Sequence, residues 1–167
     1  KAMSIVLPSG IQDWLTMANT RSRLRMTTLY AFACHHKMLV AGTGNKVEDF
    51  GIGFFTKYGD GGVDLSPIAD LMKSEVYALS KELGVVSSIL SAPPTDGLFA
   101  DSRSDEDQIG ATYDELEWAM NFIANPHDFS TLSDRQKIVL DIYIRMNKAN
   151  QHKMNPIPVC VIPDNLK

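Results

Sequence analysis

Gly42-Thr43-Gly44-Asn45-Lys46-Val47-Glu48 is the stretch whose residue types and spacing could do chemistry. Small residues let backbone N–H groups and the Thr43 hydroxyl come close to a phosphate. The Glu48 carboxylate is placed to hold the magnesium ion that accompanies such phosphates. By itself the same pattern also describes a tight turn beside a solvated glutamate. The cations divide the same way. Arg21, Arg23 and Arg25 form a solvated helical face or an anion site, Lys57 and Lys73 are surface lysines or phosphate ligands, and His152-Lys153 suits a helix C-terminus. His35-His36 falls at a helix end with no third residue spaced for zinc, His127 sits in a Pro-His-Asp turn, and Asp105-Glu106-Asp107 reads as an acidic first turn capped by Ser104. No serine–histidine–acid or cysteine–histidine set stands out.

The elements that must position these residues follow from periodicity. Met3 to Leu7 and Met38 to Ala41 are short apolar runs ending in Pro8-Ser-Gly10 and in the Gly42 turn, the pattern of buried strands. Asn19 to His36 is expected as a helix burying Leu24, Thr27, Thr28, Ala31 and Cys34. Five glycines between Gly51 and Gly62 predict a mobile loop. Ser66-Pro67 offers an N-cap, and a helix through Lys73 to Leu83 with Val76, Leu79 and Leu83 on one face stops at Gly84. Pro93-Pro94-Thr95 must be extended. Thr112-x-x-Glu115 and Ser133-x-x-Gln136 are capping boxes. The first opens a helix with Leu116, Ala119, Met120 and Ile123 inward, the second one with Ile138, Val139, Ile142 and Met146; the tail from Asn155 is irregular.

At 167 residues the chain fits one domain, and strands alternating with helices favour an α/β fold with a parallel sheet flanked by helices. A net charge of −4 argues against nucleic acid as the main partner, and no apolar run approaches the roughly 20 residues of a membrane span. Two cysteines, Cys34 and Cys160, without a C-x-x-C spacing, fit a reducing, cytoplasmic setting.

Taken together, the ordered motifs resemble the ammonia-dependent NAD synthetase family of the adenine nucleotide alpha-hydrolase-like superfamily. They run from Asn19-Thr-Arg-Ser-Arg-Leu-Arg-Met26 through Leu39-Val-Ala-Gly-Thr-Gly-Asn45 and Glu48 to Gly53-Phe-Phe-Thr-Lys-Tyr-Gly-Asp-Gly-Gly62. Asp64, Pro67, Lys73, Pro94-Thr95, Gly110-Ala-Thr-Tyr113 and His152-Lys153 follow in order. The resemblance implies a Rossmann-like sheet and a ligase that adenylates the carboxylate of deamido-NAD with ATP, then lets ammonia displace AMP. It implies that Thr43, Lys73 and Thr95 bind ATP, with Lys73 and Lys57 catalytic, and that Glu48 holds Mg2+. Arg23, Lys57, Asp64, His152 and Lys153 would bind deamido-NAD, with Asp60 a further candidate in the same loop. One residue more than the usual family spacing separates Glu48 from Lys57, which leaves Asp49 as an alternative metal ligand. A homodimer is also implied. The family's S-G-G-x-D-S loop is not in this sequence, so a single domain lacking its first strand and a segment near residues 11–14 is expected, one that would not adenylate unaided. Another adenylating enzyme of the superfamily, or a non-catalytic nucleotide-binding or dimerisation module, are the rival readings.

Overall fold

The computed structural model describes residues 6–95, 97–98, 104–126 and 128–167. Six α-helices order these residues: α1 Trp14–His36, α2 Lys73–Glu82, α3 Ser87–Leu90, α4 Asp105–Ile109, α5 Tyr113–Ala124 and α6 Asp134–Met154, with a wide-pitched π-helical turn, Lys46–Ile52, between α1 and α2. Single 3-10 turns lie at Ser9–Ile11, Phe129–Thr131 and Asp164–Leu166.

The core is built where α5 and α6 pack on the π-helical turn. Leu116, Ala119 and Phe122 of α5 meet Val139, Leu140, Ile142 and Tyr143 of α6, and Val47 and Ile52 close the cluster. Each fully buried aliphatic side chain contributes about 1.5–3 kcal/mol. The capping boxes are made as the spacing requires. The Thr112 hydroxyl accepts from Glu115 N at 3.3 Å while Glu115 Oε2 accepts from Thr112 N at 2.9 Å, and Ser133 and Gln136 repeat the exchange. Arg135 Nε donates to Glu115 Oε1 at 2.7 Å and ties the start of α6 to that of α5.

The expected parallel sheet does not form among the described residues: the one strand-like pairing is a parallel bridge between Ala41 and Leu65. Backbone bonds from Asp64 N to Val40 O and from Gly42 N to Leu65 O extend it only locally. Among the described residues the run from Met38 to Ala41 has one extended neighbour and no strand on its other side, and Met38 and Leu39 are exposed. In the first expected strand, residues 3–5 lie outside the described residues, while Val6 is in a helical turn and exposed.

Three further expectations are corrected. α1 begins at Trp14 and buries Ala18, Ser22 and Ala33, whereas Leu24, Thr27, Thr28, Ala31 and Cys34 face out. The reason is that α1 packs closely against the Gly59–Asp60 turn through Ser22, which needs small side chains. The outward threonines satisfy themselves, Thr27 and Thr28 donating to the carbonyls of Arg23 and Leu24. The glycine-rich stretch is not loop throughout: its first two residues end the Lys46–Ile52 turn, and Gly51, Gly53 and Gly59 are buried. α2 starts at Lys73 with Met72 as its N-cap, so Ser66-Pro67 belongs to a separate turn; its face is shallow, with Leu79 and Leu83 exposed. His127 lies outside the described residues.

Candidate functional site

A cavity of about 730 Å³ opens between α1, the Val40–Thr43 run, the π-helical turn, the loop from Gly53 to Gly62 and the end of α6. Thr43, Glu48, Asp60 and Lys153 line it. The Gly42 turn delivers Thr43 to its wall, and the buried Asn45 caps the next turn by accepting from Glu48 N at 3.1 Å. That cap fixes the direction in which Glu48 leaves the backbone.

Glu48 is the centre of a charged cluster. Lys73 Nζ, at the first position of α2, lies 3.1 Å from Glu48 Oε1, with both side chains largely buried. The Tyr113 hydroxyl, at the first position of α5, donates to the same oxygen and lies 3.4 Å from Asp105 Oδ2. The Lys73 ammonium sits 4.6 Å from the Tyr113 ring centroid. Burial first, then the Glu48 and Asp105 carboxylates, pushes the Tyr113 hydroxyl far above its ordinary range, so it stays a donor. Asp49 is pushed up to about 6 by burial and by the charges of Glu48 and Asp60. Its carboxyl lies against Gly44, where a Cβ would overlap it, and it does not line the cavity.

Opposite this cluster the loop after the π-helical turn is anchored to both long helices. Asp60 Oδ1 accepts from Ser22 Oγ at 2.7 Å and from Thr56 N at 3.0 Å, and Thr56 Oγ1 donates to Asn19 Oδ1. Lys153 Nζ donates to the carbonyls of Gly53 and Phe55, both at 2.8 Å, and is held below the usual ammonium range by burial. Lys57 Nζ donates to His152 O, and Arg23 Nε to Lys57 O at 3.2 Å. The arginine face is therefore not simply solvated. Arg21 and Arg25 likewise donate to the carbonyls of Leu98 and Gly97.

The predicted residues are thus only partly united. Thr43, Glu48 and Lys153 meet in the cavity, and Lys73 reaches it through Glu48. Lys57, Arg23 and His152 form a second linked group at the end of α6. Asp64 and Thr95 do not line the cavity. Asp64 is engaged by Tyr30 Oη and Val40 N, and the Thr95 hydroxyl accepts from Gly97 N at 3.3 Å. Sequence reasoning did not single out Asn19, Ser22, Asn45, Gln108 or Tyr113. The Asn45-x-x-Glu48 spacing could have signalled the cap; Tyr113 closes the Gly110-Ala-Thr-Tyr113 motif but was given no role of its own. Asp105, read as a helix-start acid, is that and also part of the cavity wall.

Comparison with known proteins defines first the class. The fold superposes on the structure titled NMN synthetase from Francisella tularensis with a TM-score of 0.76, at 30% identity, over 98% of this chain and 60% of that one. This is the architecture of the NAD and NMN synthetases. The NAD synthase family profile matches residues 6–157, and the chain belongs to that family. The NH(3)-dependent NAD(+) synthetase of Mycoplasma genitalium is 42% identical over 144 residues, 86% of this chain and 54% of that protein. The enzyme of the same name from Syntrophomonas wolfei is 40% identical over 158 residues, 95% of this chain and 59% of its own length. The chain therefore spans little more than half the length of these relatives.

Proposed function

We propose that the protein contributes the nucleotide-binding and acceptor-binding half of an ammonia-dependent ligase that makes NAD from deamido-NAD and ATP, with AMP and pyrophosphate as products. The observation that carries this reading is the Lys73–Glu48 pair, whose Glu48 lines the same cavity as Thr43, within a family match that covers most of the chain. In this reading Thr43 binds ATP through its hydroxyl, and Lys73 exchanges Glu48 for phosphate oxygens when the nucleotide arrives. Thr95, two residues from the carbonyl that Arg25 holds, is the remaining phosphate ligand. Arg23, Lys57, His152 and Lys153 are the cations for the acceptor dinucleotide, with Asp64 and Asp60 as acceptors for its hydroxyls.

Glu48 suits magnesium better than Asp49, because it faces the cavity and Asp49 is turned against Gly44. Among the described residues no three His, Cys, Asp or Glu side chains are grouped to hold a metal by themselves. Mg2+ takes one or two carboxylates and completes its shell with substrate phosphates and water, a role a single carboxylate such as Glu48 can fill. When bound, the ion would neutralise charge building on the phosphates. The chain's own residues supply orientation and a preorganised positive charge at Lys73 and Lys57. Exposed apolar residues on α1, among them Leu24, Leu29 and Phe32, support assembly as a homodimer, and two free exposed thiols support a cytoplasmic location.

The test is product analysis of the intact protein with ATP, Mg2+ and ammonium. NAD and AMP formed from deamido-NAD support the ligase. The likeness to the Francisella tularensis structure favours a second acceptor, the mononucleotide acid, and NMN formation would identify it. Nucleotide binding without AMP release would replace both readings with a non-catalytic module.

A further inference from the structure

Glu48 is gripped asymmetrically. Lys73 Nζ and Tyr113 Oη both engage Oε1, while Oε2 accepts no hydrogen bond from the described residues. We infer that Tyr113 is a positioning residue that pins Oε1 of Glu48 so that Oε2 is offered to a divalent cation in the cavity. The inference rests on the reading of Glu48 as the cation ligand and goes beyond it by naming what orients that ligand.

Two groups hold Oε1, but only one is built to stay. Lys73 is a flexible cation whose charge a polyphosphate would draw away. Tyr113 is a neutral donor on a buried ring, packed in the core and fixed at the first turn of α5 by the bond from its own backbone N to Glu106 Oε1 at 2.9 Å. Asp105 Oδ2, 3.4 Å from the phenol oxygen, is the more distant of the hydroxyl's two acceptors, so its one proton goes to Glu48. Partners that orient a metal ligand without touching the metal govern its affinity, and losing one weakens binding by about 10–100-fold. Tyr113→Phe removes only the hydroxyl and keeps the ring beneath Lys73, so packing is conserved.

The experiment titrates Mn2+ into the intact protein in the presence of a non-hydrolysable ATP analogue, following free ion by electron paramagnetic resonance. Wild type, Tyr113→Phe and Glu48→Gln are compared, each with its ligand-free melting temperature. Tyr113→Phe is expected to raise the Mn2+ Kd about 10-fold or more, with a ligand-free melting temperature near wild type, and to raise the Mg2+ requirement of turnover more than it lowers kcat at saturating Mg2+. An unchanged Mn2+ Kd in Tyr113→Phe, while Glu48→Gln weakens binding, would overturn the positioning role alone. An unchanged Kd in Glu48→Gln would instead remove Glu48 as the cation ligand. Should Tyr113→Phe fold poorly, Tyr113→4-fluorophenylalanine serves, which fills the hydroxyl's space without donating: a weakened Mn2+ affinity in it supports the positioning role, and wild-type affinity overturns it.

Discussion

A lysine at the start of a surface helix would ordinarily be dispensable for folding, yet Lys73 is paired with a mostly buried Glu48. Lys73→Met therefore acts twice. It should cost about 3 kcal/mol or more of transition-state stabilisation, read as kcat/KM for NAD formation, the scale of losing one preorganised charge donor. It should also destabilise the ligand-free protein by about 1–3 kcal/mol, because Glu48 keeps its burial and loses its counter-charge; denaturant unfolding measures this. Unchanged turnover would take Lys73 out of the mechanism. Glycine 44 offers a second test. A Cβ there overlaps the Asp49 carboxyl, so Gly44→Ala should lose about 1–3 kcal/mol, and pairing it with Asp49→Ala should recover most of the loss. Additive losses in the double variant would show that the crowding lies elsewhere.

Among the elements, the join between α5 and α6 is held by the Arg135–Glu115 pair, whose hydrogen bond keeps the Glu115 carboxyl down at about 2. A carboxyl lowered in the folded state stabilises above its unfolded value near 4.5, and that contribution is lost as pH falls toward 2. The pair is partly exposed, so Arg135→Gln should cost about 1 kcal/mol or less at pH 7, with the gap closing below pH 3; a gap that persists at low pH would mean the arginine acts by packing. Gly53 joins the π-helical turn to its loop at φ +61, with Asn150 Cβ 2.6 Å from where its own Cβ would stand. Gly53→Ala should cost about 2 kcal/mol or more by chemical denaturation, and should loosen the Lys153 anchor that uses the Gly53 carbonyl. The capping boxes of α5 and α6 were legible because a cap is a contact between residues three apart. The inward face of α1 was not, since Ser22 is buried against Asp60, 38 residues later.

For the whole molecule, a ligand that binds only the folded chain raises its stability by mass action. At 100 times its Kd, Mg2+–ATP should add about 2.7 kcal/mol, or about 5–10 °C in melting temperature for a chain of this size. Lys73→Met should abolish most of that shift, and an equal shift in the variant would move the nucleotide away from the Glu48 cluster. The sequence by itself determined the family, the capping boxes that open α5 and α6, and a glycine turn able to approach phosphate, because propensity, capping and motif order are properties of neighbours along the chain. It also predicted a parallel sheet, of which the described residues form one bridge, because a strand needs partners that local pattern does not supply. Only the tertiary structure decided which members of the motif set share a cavity. Glu48, Lys73 and Tyr113 come from three elements and meet because α2 packs on α5 and α5 on the π-helical turn, while Asp64 and Thr95 are drawn into other bonds. Convergence of that kind depends on how helices stack, and no spacing along the chain encodes it.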